Sequence, residues 1–167
     1  MDLVRSYVRD ESRILEIGCN VGRNLAFLFD AGYRDLTGIE INSDALVKLR
    51  EAYPELSATA ELINAPVEDV IGDLPDDSFD LVFAMAVLEH IHPDSDWIFG
   101  QIVRIARTVI LTIEDEHGVS PHHVPRDYRA VFEPLGMRQV AEHVVSADQG
   151  FPTVFQVRVF EHRAAGA

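Results

Sequence analysis

The residues of this chain whose types and spacing are best suited to binding a ligand are a glycine-containing loop and an acidic residue that follows it. The loop, Gly18-Cys19-Asn20-Val21-Gly22, comes directly after an apolar stretch, and Glu40 follows Gly18 by 22 residues. Gly18 allows a tight turn close to a ligand, Asn20 adopts left-handed backbone at a low cost, and Gly22 permits close helix packing. A carboxylate at the end of the next strand can accept both hydrogen bonds of a ribose diol. The spacing therefore predicts a site for a nucleoside-containing cofactor.

Two classes of cofactor bind at such a loop, and the glycine spacing distinguishes them. A dinucleotide fingerprint reads G-x-G-x-x-G, but counted from Gly18 the second and third glycines are replaced by Asn20 and Arg23. The pattern disfavours a nicotinamide-dependent oxidoreductase, which we keep as a less favoured alternative because it uses the same kind of sheet.

Two sequence blocks fit a different pattern. The first is acidic-x-Gly-x-Gly-x-Gly, with Asn tolerated at the middle glycine, and it begins at Glu16. The second is Asp77-Ser78-Phe79-Asp80-Leu81-Val82-Phe83, followed by Val87-Leu88-Glu89-His90-Ile91. In these blocks, their order and their spacing, the chain resembles the class I S-adenosylmethionine-dependent methyltransferases, in the small-molecule branch. The resemblance covers roughly residues 12–113 and extends more loosely over residues 126–160.

The resemblance implies S-adenosylmethionine as the cofactor and S-adenosylhomocysteine as the product. It places Glu40 at the ribose and Met85 at the methionine end. Many relatives carry an Asp in the third-strand block that contacts the adenine, and this chain lacks it. The adenine contact is therefore expected from backbone groups, from Asn64 or from Glu68. Cys19 is expected to pack as a small buried side chain of the loop. The implied cofactor-binding residues are Glu16, Gly18, Cys19, Asn20, Gly22, Glu40, Ile41, Val67, Glu68, Ala84 and Met85.

Histidines supply the candidate catalytic groups. Transfer to a hydroxyl or an ammonium needs a base, and the candidates in order are His90, His117 and His122. A hydrogen-bonded structural role is the alternative for His90. The acidic and histidine-rich residues 114–125 could bind a divalent metal instead. The adjacent His122 and His123 can aim at one ion only if the backbone is irregular, so we predict no metal.

The composition excludes several partners. The 167 residues include 28 acidic and 14 basic side chains, and the formal charge of -14 would repel a phosphate backbone. Lys48 is the single lysine, so the chain has no polybasic run for anionic lipid. The longest apolar run, 81–88, is too short to span a bilayer. We expect neither nucleic acid nor membrane as a partner. One cysteine and no secretory signal predict a cytoplasmic protein.

Hydrophobic periodicity predicts the elements that position these residues. Short aliphatic runs alternate with helical patterns, which is typical of a parallel sheet covered by helices on both faces. Predicted strands cover residues 13–17, 36–41, 61–65, 79–84, 109–113, 137–144 and 154–160, with a hairpin over 146–152. Four helices are predicted. Two of them cover residues 24–31 and 128–135. Of the other two, one is capped by Ser43, and one begins at Pro93 and has Ala106 on its inner face. The last strand alternates in polarity, as an antiparallel strand does.

These elements predict an α/β, Rossmann-like fold. Its doubly wound seven-stranded sheet is mostly parallel with an antiparallel last strand, in one domain over residues 1–167 with a short N-terminal helical segment. The expected function is methyl transfer to the oxygen or nitrogen of a small-molecule acceptor. The acceptor pocket is expected from residues 114–125, from a homodimer partner or from residues outside this sequence. The alternative is a truncated, non-catalytic cofactor-binding or interaction protein, and a protein acceptor is left open.

Overall fold

A mixed sheet forms the centre of the structure. The computed structural model of the chain describes residues 2–118, 120–145 and 154–163. The seven strands of these ranges are β1 (Ile14–Ile17), β2 (Leu36–Glu40), β3 (Glu61–Asn64), β4 (Phe79–Met85), β5 (Ala106–Glu114), β6 (Met137–Val145) and β7 (Phe155–His162). Their order is β3-β2-β1-β4-β5-β7-β6. Strands β1 to β5 are parallel, and β7 is antiparallel to both β5 and β6.

Helices cover both faces of this sheet. They are α1 (Asp2–Arg5), α2 (Arg23–Asp30), α3 (Ser43–Ala52), α4 (Pro54–Ser57), α5 (Val67–Val70), α6 (Trp97–Ile105) and α7 (Tyr128–Phe132). One apolar cluster holds Leu25 of α2, Leu46 of α3 and Leu56 of α4, and the other holds Ile98 of α6 and Phe132 of α7. None of the helices in the described ranges is both long and apolar enough to cross a membrane.

The strand order reverses at β1 and confirms the predicted fold. Strand β1 lies between β2 and β4, and Ile17 is level with Ile39 on one side and with Ala84 on the other. The loops that begin at Gly18, Ile41 and Ala86 therefore open at one edge of the sheet. An open α/β sheet binds its ligand at this kind of reversal, outside the carboxyl ends of the strands.

Two local predictions are wrong. The cap of α3 is Asn42 and not Ser43, because the Asn42 side chain accepts from the N–H of Asp44 at 3.0 Å and the helix starts one residue earlier than expected. Ala106 does not lie on a helix: α6 ends at Ile105, and Ala106 turns to extended backbone and starts β5. The predicted hairpin at 146–152 lies outside the described residues.

Candidate active site

The loop after β1 packs closely against two neighbouring elements. Its Gly18 N–H donates to the carbonyl of Ile39 at 2.8 Å. Gly18 has a φ of 73°, and a Cβ there would lie 2.3 Å from a methyl group of Val87. Gly22 has a φ of 77°, and a Cβ there would lie 2.5 Å from Leu49. Both positions require glycine, one to bring this loop against the loop after β4 and the other to seat α2 against α3.

Two non-glycine residues beside the loop hold left-handed backbone. Asn20 has a φ of 49° and Ala86 a φ of 55°. Asn tolerates this conformation through its short polar side chain, whereas an alanine pays about 1–2 kcal/mol for it. Both residues line the same cavity. Of the three non-glycine residues with a left-handed φ in the described ranges, these two lie at the predicted ligand site and the third, Asp77, lies elsewhere. Such backbone strain is common at functional sites.

The Glu40 carboxylate joins the loops after β1 and β2. Its Oε2 accepts from the N–H of Asn20 at 2.9 Å, and its Oε1 accepts from the N–H of Asn42 at 2.7 Å. A carboxylate has about four acceptor positions, so each oxygen retains room for a ribose hydroxyl. Asn64 donates its side-chain amide to the carbonyls of Glu40 at 2.8 Å and Ile41 at 3.1 Å. That amide therefore braces the end of β2.

Glu16 lies in the interior beneath the first turn of α2. It is 1% exposed, and its Oε1 accepts from the Asn24 side-chain amide at 2.7 Å. Its Oε2 is buried and has no hydrogen-bond partner within the described residues. Burial raises the pKa of Glu16 to about 8, against the opposing effect of the Asn24 hydrogen bond, and the nearby Glu40 raises it further. Glu16 is therefore largely a neutral acid at pH about 7.

Asn24 is a site residue that the sequence analysis missed. Its amide nitrogen lies 2.7 Å from Glu16 Oε1 and 3.7 Å from the sulfur of Met85. Its distance of two residues from Gly22 was the available signal, since a residue there falls in the first turn of the helix that follows the loop. Asn24 connects the ends of β1 and β4 through its side chain.

Two adjoining cavities open at the carboxyl edge of the sheet. The loop cavity is lined by the loop after β1, by Glu16 and Asn24, and by Met85 at the end of β4. The β2 cavity is lined by the ends of β1 and β2, residues 65–68, and the segment after β4 that includes His90. Both are also lined by Gly18, Glu40, Ala86 and Val87. Together they provide an elongated hollow across the point where the strand order reverses.

Most of the predicted cofactor residues line these two cavities. They are Glu16, Gly18, Cys19, Asn20, Glu40, Ile41, Val67, Glu68 and Met85. Of the other two, Gly22 lies against Leu49, and Ala84 is 2% exposed in the apolar cluster beneath α6. Burial raises the pKa of the Cys19 thiol to about 12, so the thiol stays neutral.

The three candidate bases lie in different surroundings. His90 lines the β2 cavity, with its Nδ1 2.8 Å from the carbonyl of His122 and its Nε2 3.5 Å from Glu89 Oε1. Because a carbonyl only accepts, the His90 Nδ1 carries a proton in this contact. His117 and His122 are exposed, and the lining of the two cavities in the described part of the chain includes neither.

Two buried carboxylates connect the loops after β4 and β5. Glu114 Oε2 accepts from the N–H groups of Val87 at 3.0 Å and Glu89 at 3.2 Å, and Glu89 Oε2 accepts from the N–H of Asp115 at 2.6 Å. Burial raises the pKa of Glu114 to about 8. Glu114 thus holds a loop that lines both cavities. Across residues 2–118, 120–145 and 154–163, no group of three or more His, Cys, Asp or Glu is arranged to hold a metal.

An apolar groove runs from the loop cavity along the sheet beside α2. Asn24 lines both the groove and the loop cavity. The other lining residues are all apolar: Val4, Phe27, Leu28, Leu81, Phe83, Leu111 and Ile113. Phe27 is 57% exposed at its edge. The groove offers an apolar surface beside the end of β4, and periodicity alone did not predict it.

Comparisons with known proteins agree with this geometry. The family model of the methyltransferase domain matches residues 15–108. The eEF1A lysine and N-terminal methyltransferase homolog of Drosophila melanogaster is 25% identical over 95 residues, which are 57% of this chain and 14% of that protein. This chain therefore spans about one seventh of the length of that curated relative.

Solved structures share the fold at low sequence identity. An S-adenosylmethionine-dependent methyltransferase of Methanosarcina mazei has a TM-score of 0.78 at 18% identity, over 97% of each chain. The 1,6-didemethyltoxoflavin-N1-methyltransferase of Burkholderia thailandensis, solved with S-adenosylhomocysteine, has a TM-score of 0.75 at 14% identity, over 98% of this chain and 76% of that one. The family match covers more than half of the chain and includes the loop after β1, Glu40 and β4. The chain belongs to the methyltransferase-domain family.

Proposed function

We propose that the chain transfers a methyl group from S-adenosylmethionine to the oxygen or nitrogen of a small molecule with an apolar body. The groove beside the loop cavity carries this proposal, because Asn24 and seven apolar residues line it and no charged side chain is among them. An apolar body in the groove would have one end next to Met85, which is within 3.7 Å of the Asn24 amide.

The residues of the two cavities fit the cofactor. Glu40 keeps free acceptor positions for the ribose hydroxyls, and Glu16 lines the loop cavity with a buried carboxyl oxygen that has no partner in the described structure. Ile41 and Val67 provide apolar surface in the β2 cavity for the adenine, and Glu68 an acceptor. The bound cofactor supplies a methyl carbon whose bond to the positive sulfur breaks as the acceptor lone pair forms a new bond to it.

The main tasks of the protein are to orient the acceptor relative to the cofactor and to exclude water from the site. Glu114 fixes the backbone after β4, and Asn24 holds Met85 near Glu16, so the surroundings of the reacting atoms are set before the acceptor arrives. A base is needed only for an acceptor that must lose a proton. Among the three candidate bases, His90 lines the β2 cavity whereas His117 and His122 line neither cavity in the described residues, so we assign it before the other two.

Charge disfavours a nucleic-acid acceptor, and the relatives are named for both small-molecule and protein acceptors. The net charge of -14 opposes binding of a nucleic acid. The Burkholderia thailandensis relative is named for methylation of 1,6-didemethyltoxoflavin. The Drosophila melanogaster relative is named for methylation of lysines and N-termini, so peptides are the acceptors to compare.

The test measures S-adenosylhomocysteine formation by mass spectrometry with three panels of acceptors. These are apolar aromatic or aliphatic alcohols and amines, lysine-containing peptides, and oligonucleotides. Phe27→Glu puts a charge at the groove edge and should raise KM for an active apolar acceptor by about tenfold or more, the value of one buried apolar side chain. The matched control is Val47→Glu, since Val47 is a 49% exposed residue of α3 and does not line the groove. Turnover of peptides alone, or equal KM values for both variants, would overturn the proposal.

A further inference from the structure

One wall of the β2 cavity is a short turn whose backbone is held by a distant segment of the chain. The turn, Leu88–His90, follows β4 and is a single 3₁₀ turn that ends at Ile91. His90 and Ile91 line the β2 cavity. So short a helix leaves its last carbonyl groups without partners inside the turn. The position of this wall therefore depends on hydrogen-bond donors from elsewhere.

The side chain of Arg126 donates to both ends of this turn. Its Nη1 lies 3.3 Å from the carbonyl of Leu88, and its Nη2 lies 2.7 Å from the carbonyl of Ile91. Nη2 also lies 2.7 Å from Asp96 Oδ1, and the guanidinium is 5.3 Å from the centre of the Phe99 ring. The Arg126 side chain is 7% exposed. Because a guanidinium presents its N–H groups in a rigid plane, it holds the two carbonyls in one geometry.

The residues just before Arg126 hold the middle of the turn. The Val124 N–H donates to the carbonyl of Glu89 at 2.7 Å. The carbonyl of His122 lies 2.8 Å from the His90 Nδ1. Residues 122–126 thus make a hydrogen bond to each residue from 88 to 91, although they lie 32 to 38 residues further along the chain. We call residues 122–126 the brace.

We propose that Arg126 is a positioning residue for the cofactor, which fixes His90 and Ile91 in the wall of the β2 cavity through their backbone. This inference rests on the proposed cofactor site. Within the described ranges, the lining of the β2 cavity and of the loop cavity includes no residue of the brace. Arg126 therefore acts through the turn and not by contact with the ligand. A wall held in place beforehand strengthens binding, because the ligand does not have to order it.

A second arginine of the chain provides a matched control. Arg104 of α6 donates to the carbonyls of Leu74 at 2.6 Å and Ile71 at 2.9 Å, and to Asp76 Oδ1 at 2.6 Å. It thus makes the same kinds of hydrogen bond as Arg126, to two carbonyls and one carboxylate. None of its three partners lines the β2 cavity or the loop cavity in the described part of the chain. Loss of Arg104 should affect stability without moving the cavity wall.

The experiment compares thermal unfolding with calorimetric titration, performed well below the unfolding transition so that folded chain is measured. The ligands are S-adenosylhomocysteine and methylthioadenosine, which has the adenine and the ribose but lacks the amino-acid half. Both Arg126→Gln and Arg104→Gln should lower Tm, because each loses charge-assisted hydrogen bonds. For both ligands, Kd should rise about tenfold or more in Arg126→Gln, since a small displacement of a positioning wall is costly. In Arg104→Gln, Kd should stay within about threefold of the wild type.

A conservative variant separates the rigid plane of the guanidinium from its charge. Arg126→Lys keeps the charge beside Asp96 but can hold the carbonyls only through a flexible stem, so it should recover part of the lost affinity. Kd values for Arg126→Gln within about threefold of the wild type would overturn the inference and leave the cofactor site intact. An equal rise of Kd in Arg104→Gln would overturn it as well, because the effect would then follow from lost stability.

Two surface variants decide the question if Arg126→Gln does not fold. Asp96→Asn weakens the carboxylate that holds the guanidinium, and the Asp96 side chain is 56% exposed. It should raise Kd for methylthioadenosine about threefold. Asp94→Asn is the control, since Asp94 is 92% exposed and pairs with His92. Equal Kd values for the two variants would overturn the inference. If the folded wild type binds neither ligand, the proposed cofactor site itself is wrong, and the inference falls with it.

Discussion

Glu40→Gln tests whether one carboxylate both joins two loops and holds the ribose. In the wild type, Oε2 accepts from Asn20 at 2.9 Å and Oε1 from Asn42 at 2.7 Å. A glutamine can satisfy one of these N–H groups, but it turns its own NH₂ toward the other. Hydrogen bonds to charged groups are worth about 1.5–3 kcal/mol, so the free energy of unfolding should fall by about that amount. Loss of one ribose contact should weaken cofactor binding by about ten- to a hundredfold.

The assay combines urea unfolding with calorimetry of S-adenosylhomocysteine and methylthioadenosine. Both ligands carry the ribose, so Glu40→Gln should weaken both equally. Glu51→Gln serves as the control for a lost surface charge. A folded Glu40→Gln variant that binds methylthioadenosine within about threefold of the wild type would refute the ribose role, because that change is under 1 kcal/mol. An unchanged free energy of unfolding would refute the joining of the loops.

Two further predictions concern stability. Gly22→Ala should lower the free energy of unfolding by about 2–4 kcal/mol, because its Cβ would lie 2.5 Å from Leu49 and its φ is 77°. The control is Gly32→Ala, because Gly32 has a φ of 109° and a Cβ there would have nothing within 4 Å, so the variant should lose only the free energy of the backbone strain. Equal losses of unfolding free energy for the two variants in urea would contradict the packing argument. The pKa of Glu114, about 8 when folded and 4.5 ordinarily, means that the folded state binds more protons, so stability should fall between pH about 5 and 8 by up to about 1.4 kcal/mol per unit. Glu16, whose pKa is also raised to about 8, adds to the same slope, so Glu114→Gln should reduce the slope without abolishing it, and a slope equal to the wild type would contradict the assignment.

The loop after β1 was predictable because its requirements are local. A left-handed φ at Gly18 and Gly22 restricts the residue type at both positions. Glu40 ends β2, which is parallel to β1, so it lies at the same carboxyl edge of the sheet as the loop. The position of Asn24 in the first turn of α2 was predictable, but its contact with Met85, 61 residues further along the chain, was not. The sequence identifies residues that the backbone demands more readily than residues that join distant elements through one side chain.

The role of the acid at the end of β5 was missed for a related reason. Residues 114–125 combine carboxylates and imidazoles, and we considered them for an acceptor pocket and, as a rejected alternative, for a metal site. In the structure, β5 extends to Glu114, and its carboxylate turns inward to N–H groups after β4. His90 is likewise held by the carbonyl of His122, a contact made by backbone and therefore invisible to residue type. The composition of this segment shows which side chains are available, but the partners of Glu114 depend on the residue at which β5 ends.

Three buried acids at one edge of the sheet show how position separates structural roles from ligand roles. Glu114 accepts two backbone N–H groups through Oε2 and fixes a loop, and Glu40 accepts one through each oxygen and joins two loops. Glu16 accepts a single side-chain amide, and Glu16 Oε2 and Glu114 Oε1 both lack a hydrogen-bond partner in the ranges described. Burial raises the pKa of both acids, so neither burial nor an unpaired oxygen separates them. The difference is one of place: Glu16 lines the loop cavity and Glu114 does not, so Glu16 is the acid that faces a bound ligand.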